Sequence, residues 1–555
     1  MTEPYQPPVA EGLFQGSHEA QATTLQSPHV ARYPRHSVRA GADRPPPAPA
    51  GSAPRRPARP LLRIWLVSFG VLFVAVAAWT FASPLGSGPD EPAHLVRAVS
   101  LVRGQLVGKD LPHPTSAQRS TVIVKVPEVF ASLETHVGCF QYRSAVPAGC
   151  QRPLNGSTHV VSVETYVGRY PPFYYALVGL PTLALVSVKG IYAARLVSGA
   201  LASAMLALAV TSLRRCRGAP LLAGGVALAV TPMVLYLAAV VSPSGLEIAS
   251  AISAWTAAMA LASQRPADLN ASVVGALGIS LSVLILTRAL APLWVFFILA
   301  AFVGVGSATP LSDLLRRRYV QVWLGVCALA GVVSLVWDVV ANPFLTEPGS
   351  PLPPGTTEGG IFDLALQRLD LLVTSSIGQF GWLDAASPYL VIVLWLGALG
   401  GVVLIGTCLA HRRAAAVVIG TVAAWVVLPT AMIMSTAHQD GILGQGRDFM
   451  GLVVGIPIVA AAIAGERFSD RRTTLRLAAV IVGLTAVCQV VDFYATLRRY
   501  TVGTKGPLDA FSSVAGGWDA PVPPALLFAI FTVAMVAFAF ILRAAATAQP
   551  AASAR

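Results

Sequence analysis

The chain has 555 residues, of which 55% are hydrophobic and only 12% charged, about half the charged share of an ordinary soluble domain. Apolar runs long enough for a ~30 Å hydrocarbon layer recur along it, which excludes a string of soluble domains and indicates one membrane domain. The formal charge of +13 lies in a basic tail and in short arginine-bearing loops, the pattern of cytoplasmic turns and anionic-lipid contact rather than of a nucleic-acid surface.

Residues 1–60 are rich in Pro, Ala, Arg and Ser and hold no apolar core. They are expected to form a disordered cytoplasmic tail without a cleavable signal. The apolar run 63–83 then acts as an uncleaved signal-anchor, and 84–170 follows as a large extracytoplasmic loop. Near its start, Asp90 stands before Glu91-Pro92, a good helix start with Asp90 as N-cap. The stretch 91–103 reads as an amphipathic helix. Leu95, Val96, Val99 and Val102 form its apolar side, and Asp90, His94 and Arg97 share the other. The same loop carries Cys139 and Cys150, while the other four of the six cysteines fall in or beside apolar runs. They are the only pair in a long, polar loop expected to face an oxidising space, and the two are expected to form a disulfide.

Next comes 171–188, which begins Tyr170-Pro171-Pro172-Phe173 and contains Pro181; it either spans or lies broken at the interface. Further runs at 190–213, 219–241, 245–262, 271–287, 289–306, 320–340, 388–410, 414–435, 450–465, 475–494 and 524–543 complete an all-α polytopic bundle of about 12–13 spans over 61–545. A short tail, 546–555, ends the chain. With the N-terminus cytoplasmic, twelve spans put Arg214-Arg215, Arg316-Arg317-Arg318, Arg412-Arg413 and Arg471-Arg472 inside the cell. The same parity places 84–170, 242–245, 341–387, 436–449 and 495–523 together outside a multi-pass protein of the cell membrane. Large loops on one face suggest chemistry done at that face.

The residues suited to such chemistry begin with Asp90, Glu91, His94 and Arg97. A base near an acceptor hydroxyl and a cation near a departing phosphate are what transfer from a lipid-phosphate requires. A solvated interfacial helix explains the same spacing equally well. A divalent ion, Mg²⁺ or Mn²⁺, is an option at Asp90, Glu91 and His94, although no metal-ligand motif stands in the sequence. Glu247 lies at a predicted helix end, where capping by Ser244 and ordinary solvation compete with a role in substrate binding. Arg288, between two apolar runs, either binds lipid phosphate or snorkels at a turn. Glu164, Tyr166, Arg169 and Tyr170 form a polar approach to Pro171-Pro172 and could line a donor site.

Six short segments occur in order: Asp90-Glu91-Pro92-Ala93-His94-Leu95-Val96-Arg97-Ala98, Tyr170-Pro171-Pro172-Phe173-Tyr174-Tyr175, Ala194-Arg195-Leu196, Ser242-Pro243-Ser244-Gly245-Leu246-Glu247, Gly381-Trp382-Leu383-Asp384 and Gly444-Gln445-Gly446-Arg447. Over roughly residues 60–465 this order resembles the membrane-protein family called domain of unknown function 2142. That family is in turn similar to the GT-C class of polytopic glycosyltransferases, which use polyprenyl-phosphate sugars. The resemblance implies a catalytic acid just after the first helix, at Asp90 with Glu91 as second choice. It also implies phosphate-binding cations among Arg97, Arg288 and Arg447. Asp448 stands where the family usually carries Tyr. The function implied is transfer of a sugar from a polyprenyl-phosphate donor to an envelope glycan, lipid or protein outside the cytoplasm. A flippase for lipid-linked sugars and a non-catalytic scaffold of envelope assembly are the alternatives.

Overall fold

The computed structural model describes residues 59–112, 120–216, 218–343, 352–353, 355–442, 444–511 and 516–547. The tails expected at 1–60 and 546–555 lie almost wholly outside these residues. The first helix, Arg59–Ala82, is an unbroken apolar run that stops at Ser83-Pro84, since proline offers no amide to extend the ladder.

Among the described residues, nine helices are long and apolar enough to cross a membrane, from Leu61–Ala82 to Pro524–Thr547. A further span is broken: Ala219–Ala229 and Pro232–Ala238 meet at 62°, with Pro232 causing the bend. Ala271–Thr287 and Ala291–Val305 are shorter apolar helices, roughly 25 Å or less at 1.5 Å per residue. They run alongside the helix Pro243–Ala262. The turn between them reaches one of its ends, Arg288 Nη1 to Ser244 Oγ at 2.9 Å, and the chain returns to the other, Ala308 N to Ala262 O at 2.9 Å. Pro243–Ala262 is buried along its whole length. Arg318–Ala341 instead lies at the periphery, with Leu324, Leu329, Val332, Leu335 and Val339 exposed, as lipid contact requires.

Segment 171–188 is not a span. It divides into Pro172–Gly179 and Pro181–Ala184, each too short to cross, and Pro181 sets the break. The bundle therefore keeps the parity expected without it. Arg169 donates to Ala341 O, Trp382 to Gly86 O, Arg447 to Pro89 O and Arg499 to Arg143 O, so the large loops meet at one end. Gln264 to Arg215 O, Arg413 to Val303 O and Arg471 to Thr547 O tie the arginine-bearing turns together at the other.

The loop after the first helix has its own small core. Lys109–Asp110, Val122–Pro127 and Val160–Thr165 pair antiparallel in that order. Val122, Val124 and Val126 point inward at period two and join Leu95, Val99 and Phe130 of the neighbouring helices. Cys139 and Cys150 are disulfide-bonded, with Cα atoms 6.1 Å apart.

Candidate active site

The helix Glu91–Val102 differs from its amphipathic expectation: His94 and Arg97 are buried with the apolar residues, so its polar side is not solvated. Asp90 holds the N-cap position, and its carbonyl accepts the His94 amide, but its side chain does not cap the helix. Its backbone is left-handed, φ 58°, and its carboxylate makes no capping hydrogen bond. The left-handed turn instead throws adjacent side chains in different directions, a conformation that Asp tolerates better than most residues.

Glu91 turns inward. Its carboxylate accepts both Nε and Nη2 of Arg195 at 2.6 Å and the amides of Gly88 and Val241. Arg195 completes its donors on the carbonyls of Thr80, Ser83 and Pro84. Neither side chain of the pair is exposed. The close seat depends on Gly88, where a Cβ would fall 2.8 Å from Val240 Cβ. Glu91 thus locks the first helix, the loop and the helix Val188–Leu213 to one another, and no lone-pair direction is left for substrate. The divalent ion considered at Asp90, Glu91 and His94 finds no fit, because both Glu91 oxygens are engaged elsewhere.

Asp90 faces the opposite way, with 28% of its side chain exposed. It accepts Tyr166 Oη at 2.7 Å and Arg447 Nη2 at 2.5 Å. Burial pushes its carboxyl up, but Arg447 and the Tyr166 hydrogen bond, joined by His94 once that imidazole is protonated, outweigh this and hold it down at about 2. Burial lowers His94 to about 3 against the pull of Asp90. The imidazole is therefore neutral, with Nδ1 2.8 Å from Tyr175 Oη. Tyr166 is raised by burial and by Asp90, so it stays protonated and can keep donating.

Arg447 is placed by the glycine before it. A Cβ at Gly446 would lie 2.4 Å from Leu372 O and 2.5 Å from Ser376 N, so only glycine lets this helix start press against Glu358–Gly378. Gln445 and Asp448 form a reciprocal capping box there. Arg288 stands beside it. Rather than snorkelling, it lies 3.5 Å from Glu247 Oε2 and 3.7 Å from Asp448 Oδ1. Glu247 is not a solvated helix end: it is buried, and Trp294 Nε1 donates to its Oε1 at 2.8 Å. Ser244 does not cap that helix, because its hydroxyl takes Arg288. Tyr170 is raised chiefly by burial, while Arg288, Asp90, Asp448 and Arg447 all act on its phenol.

Asp90, His94, Tyr170, Glu247, Arg288 and Arg447 are thus brought together, with Tyr166 and Asp448 among them. Arg97 is set apart, donating to Leu106 O and Tyr170 O beneath Tyr175 and Trp337. Arg169 pairs with Asp110 and lies outside the cluster. Sequence reasoning assigned no role to Arg195 or to the buried pair Arg499–Asp384, 2.7 Å. For Arg195 the available signal was an arginine within an apolar run, which needs an internal partner; Arg499 lies just past the run 475–494 and carries no such mark.

The fold and the cluster define a polytopic membrane protein with an acid–arginine centre where its large loops meet. The chain belongs to the family described as "Predicted membrane protein (DUF2142)", whose model matches residues 72–456. No curated protein matches it in sequence. Two crystal structures of ArnT from Cupriavidus metallidurans are similar to it. The one bound to undecaprenyl phosphate has a TM-score of 0.39 and 13% identity, covering 89% of this chain and 79% of that one. The apo form has a TM-score of 0.34 and 14% identity, covering 80% and 76%.

Proposed function

We propose that this protein is a glycosyltransferase that takes a sugar from a polyprenyl-phosphate donor and passes it to a hydroxyl of an envelope glycan, lipid or protein outside the cytoplasm. The observation that carries this reading is an ionised, part-exposed carboxylate, Asp90, paired with the guanidinium group of Arg447 at one end of a lipid-facing bundle, with Arg288 next in the cluster on Asp448. A lipid-borne donor enters such a site with its tail in the membrane and its phosphate at the boundary.

In the step itself, the acceptor oxygen attacks the anomeric carbon and its proton passes to Asp90. The bond from that carbon to the phosphate oxygen breaks, and its electron pair leaves with the polyprenyl phosphate. Arg447 and Arg288 are suited to neutralise that phosphate, since guanidinium groups bind such oxygens in pairs. Donor binding also prepares the base. Asp90 is held at about 2 by Arg447 above all its other stabilising partners. A phosphate that shares Arg447 withdraws part of that stabilisation, so the carboxylate gains proton affinity as the donor is seated. Tyr166 keeps it aimed.

The test is turnover by the full-length protein in liposomes, supplied with a panel of radiolabelled synthetic polyprenyl-phosphate sugars. Sugar released or transferred by the wild-type protein and not by Asp90→Asn is expected. Labelled lipid that crosses the bilayer with its sugar–phosphate bond intact would replace this reading with a flippase. An intact donor that stays in its leaflet with every sugar would leave a scaffold.

A further inference from the structure

Two segments beside Asp90 take no part in the proposed step: the disulfide-closed loop 139–150, and the turn Gly381-Trp382-Leu383-Asp384. Each presents an aromatic ring. Tyr142 is 66% exposed and its backbone is left-handed, φ 59°, where a bulky side chain is rarely found and which clusters at binding sites. Its ring meets Trp382 edge to face, 5.9 Å between centroids at 65°. Trp382 Nε1 donates to Gly86 O at 3.1 Å, four residues before Asp90. Leu383 in the same turn is also left-handed, φ 60°.

Both rings are rigidly mounted. Arg499 donates to the carbonyls of Phe140, Arg143 and Val146 on either side of Tyr142, and to Asp384 of the turn at 2.7 Å. The disulfide closes the loop between Cys139 and Cys150. The Tyr142 phenol is raised by the burial around it, then by Asp90 and Asp384, with Arg447 opposing. Its hydroxyl therefore lies within electrostatic reach of the candidate base.

A fixed, water-exposed aromatic face beside a carboxylate suits a ligand with an apolar side and a polar rim. An aliphatic chain gains nothing from the carboxylate, and a cation is repelled by Arg447. A pyranose ring has both features: a C–H face for the aromatic ring and hydroxyls for the acid. Tyr offers such contact area at low entropic cost. We propose that Tyr142, buttressed by Trp382, is the platform on which a pyranose of the acceptor packs, presenting a hydroxyl to Asp90. The acceptor is accordingly a saccharide, or a lipid or protein that already bears one. This rests on the glycosyl-transfer reading for its purpose, but its binding test does not need turnover.

Full-length wild-type protein in nanodiscs, with no donor present, is mixed with methyl α-glucopyranoside, α-mannopyranoside and α-galactopyranoside, and saturation-transfer NMR is recorded. Saturation is expected on the C–H protons of one ring face for at least one glycoside. It should be lost when Tyr142→Ala is added and kept with Tyr142→Phe, with unchanged melting as the folding control. Absence of saturation from all three, or saturation indifferent to Tyr142→Ala, overturns the platform. In turnover, Tyr142→Ala should raise the acceptor KM roughly tenfold and leave the donor KM unchanged. Turnover with an unchanged acceptor KM sinks the platform while transfer stands. Tyr142-dependent saturation in a protein that transfers no sugar sinks transfer and keeps the platform.

Discussion

Arg447 and Asp90 are 357 positions apart in the chain, and their side chains are joined at 2.5 Å. The contact closes a ring of polar groups between the start of one helix and the turn after another. It places a cation against the residue whose chemistry a cation most affects. An acid this strongly compensated remains ionised in any physiological medium, and it changes basicity only when something competes for Arg447.

The first prediction separates Asp90 chemistry from Asp90 structure. Because the Asp90 side chain caps nothing, Asp90→Asn removes no helix-capping bond, and Asn accepts a left-handed backbone as readily as Asp. Transfer in the liposome assay should fall by about 10²–10⁴, the usual cost of losing a general base. The melting temperature should fall as well, because Arg447 loses its charged partner, though less than for a sealed pair since the Asp90 side chain is 28% exposed. Asp90→Ala should lose activity equally and melt lower still, since Ala tolerates φ 58° poorly. Full activity in Asp90→Asn would remove Asp90 from the role of base.

Glu91, one residue on, should behave in the opposite manner. Glu91→Gln leaves Arg195 charged and fully enclosed, and breaking a buried pair from one side costs about 3–5 kcal/mol. Thermal melting in detergent should show a large drop, and folded yield should fall with it. Activity per folded molecule should change far less than in Asp90→Asn. A Glu91→Gln protein of wild-type stability and no activity would reassign the acid to position 91.

A third prediction concerns acid. His94 has its folded-state value lowered from 6.5 to about 3 by burial, so below 6.5 the unfolded chain takes a proton that the folded one refuses. Stability is then fully present above about 6.5 and declines as pH falls toward 3, by about 1.4 kcal/mol per pH unit for one proton. Asp90 adds to this only below its ordinary 3.8, as the pH approaches about 2. Melting curves between pH 7 and 4 should slope accordingly, and His94→Gln should flatten the slope. A wild-type protein equally stable at pH 4.5 and 7 would mean that His94 accepts its proton in place.

Much of the bundle is legible because lipid imposes its own rule: every membrane-crossing backbone must be helical, and every lipid-facing side chain apolar. The arginine pattern likewise foretells which loops share an end, as the Trp382–Gly86 and Gln264–Arg215 contacts bear out. Side-chain direction is harder to read. The sequence Asp90-Glu91 looks like an N-cap followed by a first-turn acid, and one left-handed backbone pair separates them into an open carboxylate and a sealed one. Arg288 sits at a tight turn, and whether it points to lipid or inward depends on Glu247 and Asp448 coming from other helices. No spacing along one helix encodes such a meeting.

The last prediction is the sidedness of that site. One end of the bundle collects Asp90, Arg288, Arg447 and the disulfide, and the other collects Arg215, Arg413 and Arg471. Short loops rich in arginine are retained on the cytoplasmic side of bacterial and eukaryotic membranes alike. A disulfide also persists where the medium is oxidising. Both arguments put the Asp90 end outside, and they are independent of each other. In a variant whose native cysteines are replaced, a single cysteine at Gln141 should react with a membrane-impermeant maleimide in intact cells. One at Arg215 or Arg412 should react only after the membrane is permeabilised. The reverse labelling would invert the bundle, placing the proposed donor and acceptor in the cytoplasm, and would leave the disulfide without the compartment that maintains it.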